Sequence, residues 1–297
     1  MRRHPIISGI CLLTLIGMVF FAAIYGLGLF RGENPLNLGE KVGVIPIEGI
    51  IGDAGEIIDQ INEFADSNGI RAVVLRIDTP GGSVAPSQEI YQAVRELRKK
   101  KKVVVSMGSV AASGGYLIAV AADRIVANPG TITGSISAVM HYANVEELLK
   151  KVGVRASVIK SGKFKDIGSP VREMTAEERS LIQGIVDDIY DQFVRTVSEN
   201  RKIPLSKIVQ LADGRVFTGR QAKELGLIDD LGGLQDAVLL AGRLSGMKEK
   251  PEIVHGMKKK TTLWRYLMQN MTSAVSEEIR RNSAELRGAR GAQYLLQ

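Results

Sequence analysis

The sequence has one cysteine, Cys11, and three histidines, His4, His141 and His255. A single thiol excludes an internal disulfide and a cysteine metal site. No two histidines stand at ligand spacing, so neither a metal nor a cofactor is expected. Aromatic residues make up only 5% of the chain, and the net charge of +7 is not gathered into a basic face interleaved with them. That argues against nucleic acid as a partner. The densest basic run, Lys99–Lys102, falls where a helix pattern ends and a strand pattern begins. A solvated helix end favoured by the dipole accounts for it.

Charge is missing altogether from Pro5 to Phe30. This run is rich in Ile, Leu, Val and Phe and is long enough to cross a hydrocarbon core of about 30 Å. It exceeds the roughly 7–15-residue apolar core of a cleavable signal peptide, and no clear small-x-small cleavage site comes after it. Residues 1–31 therefore read as an uncleaved membrane anchor, with residues 5–30 in the bilayer. Arg2 and Arg3 favour the N-terminus inside, against a weaker contrast from Arg31, which leaves the bulk of the chain on the extracytoplasmic side.

Beyond the apolar run the composition is ordinary for a globular protein, with ample length for a core. Residues 32–41 form a polar linker. Strand patterns at 42–47, 72–77, 103–107, 124–127 and 156–160 alternate with helix patterns. The helices are expected at 56–66, 87–100, 113–122, 144–151, 175–201, 205–211, 219–225 and 233–245. Thr175 and Glu178 make a capping box for the longest. Repeated βα units imply an α/β domain over residues 42–256 with a mostly parallel sheet and helices on its faces. Residues 257–297 read as a C-terminal tail, with Leu263, Trp264, Leu267, Met268, Met271 and Val275 at roughly helical, amphipathic spacing.

The chemistry concentrates in residues 103–125. A β-branched strand run meets a small-residue cluster holding Ser113, Gly114 and Gly115. A serine where a helix starts close above a strand end is presented to a substrate among backbone N–H groups. The preceding strand ends in Asp78-Thr-Pro-Gly-Gly-Ser83. Gly81 and Gly82 permit close backbone approach at the carboxyl end of a strand, where open α/β sheets place ligands. N–H groups there and at Gly114 would form an oxyanion hole for acyl transfer. The same residues also make an ordinary βα turn. Ser113 needs a base. His141 is one option, with no acidic partner evident. A lysine is the other, and it must be neutral, which takes a pKa drop from about 10.4 toward 7, roughly 4–5 kcal/mol of differential stabilisation by burial. Lys160, Lys163 and Lys165 all come at or just after the strand pattern at 156–160.

Four blocks together resemble the signal peptide peptidase A family of bacterial membrane-anchored serine proteases. They are residues 75–84 (LRIDTPGGSV), 106–119 (SMGSVAASGGYLIA), 159–170 (IKSGKFKDIGSP) and 212–233 (ADGRVFTGRQAKELGLIDDLGG). The resemblance covers roughly residues 40–246. It implies a Clp/crotonase-like fold and a Ser–Lys dyad, with Ser113 as nucleophile and Lys165 as general base. Ser135, in the Thr-Gly-Ser-Ile block, would orient the lysine, and Gly82 and Gly114 would hold the oxyanion. It further implies peptide substrates (residual signal peptides and unfolded extracytoplasmic polypeptides), a homo-oligomeric ring, and residence in the bacterial inner membrane. Tail residues 294–296 would fit a neighbour's groove as a product-like peptide. Ser137 and Leu117 depart from the family's usual glycine and tyrosine, which touches pocket shape rather than a catalytic group. Three other readings compete: a Clp-like protease with His141 as base, a catalytically inactive membrane-associated scaffold, and a crotonase processing acyl-CoA.

Overall fold

The computed structural model describes residues 13–20 and 41–256. Residues 13–20 are helical. The rest of the expected anchor, most of the linker and the whole tail lie outside the described residues. Among the described residues no helix is long and apolar enough to cross a membrane.

In chain order the elements are β1 (Lys41–Glu48), α1 (Gly55–Asp66), β2 (Ile70–Thr79), α2 (Val84–Lys100), β3 (Lys102–Ala112), α3 (Gly114–Ala119), β4 (Arg124–Ala127) and β5 (Ile132–Gly134). Next come α4 (Glu146–Lys151), α5 (Ala176–Arg201), α6 (Leu205–Leu211), β6 (Val216–Thr218), α7 (Gly219–Glu224), β7 (Asp230–Leu231), α8 (Leu234–Leu244) and β8 (Glu252–His255). They build one sheet in the order β6-β5-β3-β2-β1-β8, with β4 and β7 continuing from β3 on a branch. All pairings are parallel except β5 with β6. The α/β reading therefore holds, and the sheet is mostly parallel.

Strand alternation divides the core into two layers. Val73, Leu75 and Ile77 of β2 face one side, where Ile61 and Phe64 of α1 and Ile90, Val94 and Leu97 of α2 cover them. Ala72 and Val74 face the other, under Ala237, Val238 and Ala241 of α8. Strands covered on both faces read as continuous apolar runs, which is why β2 and β3 were legible. Thr175 caps α5 through a full capping box with Glu178.

One expected strand is absent. Residues 156–160 have no regular structure, and Ile159 is fully exposed. A β-branched run becomes a strand only when another edge accepts its backbone hydrogen bonds and a face buries its side chains. Among the described residues no sheet edge pairs with it. The short strands β5, β6, β7 and β8 carry too few residues for their alternation to show.

Candidate active site

β3 is the element that delivers the serine. Its pairing with β2 shifts register between Ile77 and Thr79. Asp78 spans the irregularity, its Oδ1 accepting the Val110 N–H at 3.1 Å. A Cβ at Gly108 would lie 2.4 Å from Asp78 Oδ2, so only glycine leaves room for that carboxylate. Beyond the shift, β3 pairs with β5, and the Ser113 N–H donates to Gly134 O at 2.9 Å.

Ser113 itself has φ +52° and ψ −121°, and α3 begins at the next residue. A non-glycine residue in that region is strained, and it persists only where surrounding structure imposes it. Here the hydrogen bond to Gly134 and the first turn of α3, closed by Leu117 N–H to Ser113 O at 2.9 Å, do so. Tyr116 anchors α3 from below. It is fully buried and donates its hydroxyl to Leu227 O at 2.8 Å. Burial pushes its phenol up, so it stays a neutral donor. This ties the 212–233 block to the serine-bearing turn.

The glycine turn packs directly on Ser113. Gly81 has φ +106°, and a Cβ there would fall 2.8 Å from Ser113 Cβ and 2.9 Å from Gly114 N. Its N–H donates to the buried Thr79 hydroxyl at 3.0 Å. Gly82 bridges Ile51 in parallel fashion, using Gly81 O and the Ser83 N–H. The Gly82 N–H therefore faces away from the bridge. A Cβ at Gly114 would lie 3.6 Å from Gly82 N. The Gly114 N–H opens α3 and has no intrahelical acceptor. The two donors border the same small space above Ser113.

That space opens into a cavity of about 370 Å³ lined by Gly82, Ser113, Gly114, Leu117, Ile189 and Phe193, among others. Leu117 and Ser137, the two departures from the family pattern, both line it. A larger cavity of about 700 Å³ shares Ala138 and Val139 with it. Helix α5 walls both, with Ile182 and Val186 in the larger and Ile189 and Phe193 in the smaller. These four residues recur at helical spacing and form one stripe. That spacing was present in the sequence, but nothing local distinguished a groove wall from a core stripe. Ser87 was also missed. It is 1% exposed, and its hydroxyl would lie 2.4 Å from a Cβ at Gly114.

The remaining expected residues do not converge on Ser113 equally. Ser135 comes directly after the Gly134 that bonds Ser113; it has φ +52° and donates its N–H to Arg215 O at 2.9 Å. It does not line the cavity. Lys165 lies in the irregular 161–169 turn, exposed, its backbone N–H bonded to Gly162 O at 3.2 Å. It lines neither cavity. Its neighbour Asp166 is taken by Arg172, at 2.9 Å, and by Lys160. Arg172 also pairs with Glu178 at 2.8 Å. Hydrogen bonds from Arg172 and Lys160 hold the Asp166 carboxyl well below the usual range. Arg172 and the Thr175 N–H bring Glu178 down to about 2. His141 is exposed and lines neither cavity.

Ser113, at φ +52° on a strand–helix junction of a mostly parallel α/β sheet, thus stands beside the Gly82 and Gly114 backbone at the mouth of a groove. Residues 45–131 match the family model for Clp protease. Residues 95–248, more than half of the chain, match the model for peptidase family S49. The chain belongs to peptidase family S49, a serine protease family, as the resemblance to signal peptide peptidase A implied. A relative from Synechocystis sp. is 51% identical over 176 residues, 59% of this chain and 64% of its own length. Protease 4 of Haemophilus influenzae is 34% identical over 229 residues, 72% of this chain and 36% of that protein. The chloroplastic serine protease SPPA of Arabidopsis thaliana is 36% identical over 211 residues, 71% of this chain and 30% of that protein. The aligned stretch thus spans just under two thirds of the Synechocystis relative and about a third of the larger ones. Among solved structures, a ClpP1 mutant from Listeria monocytogenes aligns with a TM-score of 0.47 and 17% identity, covering 65% of this chain and 93% of that one.

Proposed function

We propose that this chain is a membrane-anchored serine endopeptidase that cleaves residual signal peptides and unfolded extracytoplasmic polypeptides. The observation that carries the reading is the Ser113 turn, held at φ +52° against Gly81 with the Gly82 and Gly114 N–H groups beside it. Ser113 attacks the peptide carbonyl. The two N–H groups stabilise the oxyanion that forms. Lys165 takes the serine proton and passes it to the leaving amine, and water then releases the acyl-enzyme. Ser135 orients the lysine by accepting a hydrogen bond from it, without pinning its charge as a carboxylate would. The two cavities along α5 accommodate an extended chain, with the apolar Leu117, Ile189 and Phe193 beside Ser113 and the charged Arg172, Glu173 and Arg179 farther along.

Lys165 is exposed and Ser113 has no base in its own cavity. Around Lys165 the segment exposes Val158 and Ile159 and has no sheet partner among the described residues. These facts support assembly into a homo-oligomeric ring in which a neighbouring copy receives this segment and buries the lysine, as a neutral base requires. The apolar run at residues 5–30 supports anchoring in a bacterial inner membrane with the catalytic domain outside the cytoplasm.

The test is labelling of the full-length chain with a serine-reactive fluorophosphonate, followed by peptide mass spectrometry. Label on Ser113, lost in Lys165→Ala at unchanged fold, supports the mechanism. A folded wild-type chain that cleaves no unfolded polypeptide and takes no label would establish the inactive-scaffold reading instead. Label retained in Lys165→Ala and lost in His141→Ala would move the base to the histidine.

A further inference from the structure

The end of the sheet opposite Ser113 is built differently. β1, β2 and β3 run parallel, with Lys41 beside Ile70 and Ala72 beside Lys102. Their amino ends therefore share one edge of the molecule, and their carboxyl ends lead to the glycine turn and Ser113. Over a ten-residue strand the two ends are separated by about 30 Å. At the amino end lies a cavity of about 440 Å³ whose lining includes Arg71, Arg98, Lys99, Lys100, Lys101 and Lys102.

Among the described residues, carboxylates answer part of this cluster in ion pairs. Asp123 pairs with Arg98 at 3.1 Å and faces Lys102 at 3.8 Å, Glu96 pairs with Lys99 at 2.7 Å, and Asp66 pairs with Lys100 at 3.1 Å. Lys101 points inward and donates to the carbonyls of Phe64 and Ser67. Burial depresses its ammonium, Asp66 offsets this in part, and Lys100 and Arg71 add to it. The side chains of Lys99, Lys100 and Lys102 nevertheless stay 67%, 60% and 49% exposed. A helix-end explanation covers Lys99 and Lys100. It does not cover Arg71 and Lys102, which come from two strands, converging on the same hollow.

The chain itself says what lies nearby. The uncharged run ends at Phe30, and β1 starts at Lys41, on this same edge. The residues between them reach no more than about 35 Å. Tethering of that kind raises the local concentration of a surface enormously, so weak charge attraction suffices to orient the domain. Clustered Lys and Arg beside a membrane segment are drawn to anionic headgroups within about a Debye length.

We propose that this basic hollow docks on the anionic phospholipid headgroups of the bilayer surface, turning the Ser113 end of the sheet away from the membrane. The proposal rests on reading residues 5–30 as the anchor. With the domain so docked, the active site stands about 30 Å above the surface, and substrates are cleaved after leaving the lipid.

The test is amine footprinting of the full chain in vesicles of phosphatidylcholine alone and with about 30% phosphatidylglycerol. Labelling of Lys99, Lys100 and Lys102 is expected to fall at least about threefold with the anionic lipid, and to recover at about 0.5 M salt. Lys150 and Lys207 serve as internal controls and should not change. Arg71→Gln/Arg98→Gln should weaken the protection while leaving peptidase activity intact. Equal labelling in both vesicles overturns the proposal, as does the same protection by soluble glycerol phosphate, which would make the hollow a site for free anions. Flotation separates the two readings. A chain that floats with neutral vesicles but shows no anionic protection keeps the anchor and loses the docking. A chain that floats only with anionic vesicles keeps the docking and loses the anchor.

Discussion

The turn that carries Ser113 and the turn that carries Lys165 are opposites. The first is enclosed by β2, β5 and α3, locked by hydrogen bonds on both sides, and closed over by Gly81. The second is exposed, belongs to no helix or strand, and owes its shape to an ion-pair cluster around Arg172. The conformation of the proposed nucleophile is complete within one chain, and the surroundings of the proposed base are not. On the proposed mechanism Lys165 must be buried to act as a neutral base, so that burial would have to come from a neighbouring copy.

The largest effects should come from the two groups themselves. Ser113→Ala and Lys165→Ala should each lower kcat by about 10³-fold or more. In the dissociated single chain, where Lys165 is exposed, Lys165→Ala should leave the melting temperature unchanged, because such a side chain changes stability by less than about 0.5 kcal/mol. Mixing the two inactive variants during refolding is the sharper measurement. If the lysine acts on a neighbour's serine, random mixing restores about a quarter of the wild-type activity. No recovery would put both groups of each site in one chain and erase the contrast.

Gly81→Ala comes next. The new methyl would meet Ser113 Cβ and Gly114 N below 3 Å at φ +106°. We expect a loss of about 1–3 kcal/mol in stability from the backbone strain alone and a fall in kcat greater than the fall in stability explains. Denaturant melts alongside kinetics separate the two. An active Gly81→Ala enzyme would mean the turn is looser than the Ser113 geometry implies.

A smaller effect tests the other turn. Glu178 is depressed to about 2 by Arg172 and the Thr175 N–H, below its unfolded value of about 4.3. Its contribution is therefore fully present above about pH 4.5 and lost as pH falls toward 2. Thermal melts across that window should decline less steeply for Glu178→Gln than for wild type. Equal slopes would remove Glu178 from the account of how the Lys165 turn is held. The smallest effect belongs to His141→Ala. We expect unchanged kcat/KM at neutral pH, since His141 is exposed and lines neither cavity.

Much of the fold was readable in advance because parallel strands covered on both faces are apolar throughout, as β2 and β3 are. Their helices repeat apolar residues at 3.6 spacing, as α1 and α2 do. The serine turn was readable because Ser113-Gly-Gly after a β-branched run has few alternatives. The strand expected at 156–160 failed because apolar residues there have no edge to pair with among the described residues. The α5 wall of the groove was hidden, since Ile182, Val186, Ile189 and Phe193 look the same whether a helix stripe faces a core or a peptide.

Local chemistry in the chain was enough to settle the α/β class and the peptidase family, and to single out Ser113 as the proposed nucleophile. Each depends on residue order over a few turns, which a linear pattern records. The packing of Gly81 against Ser113, the convergence of strand-borne and helix-borne cations at the far end of the sheet, and the exposure of Lys165 were decided by tertiary structure alone. They depend on which distant segments share a sheet edge, and hydrogen-bond register, not residue order, sets that.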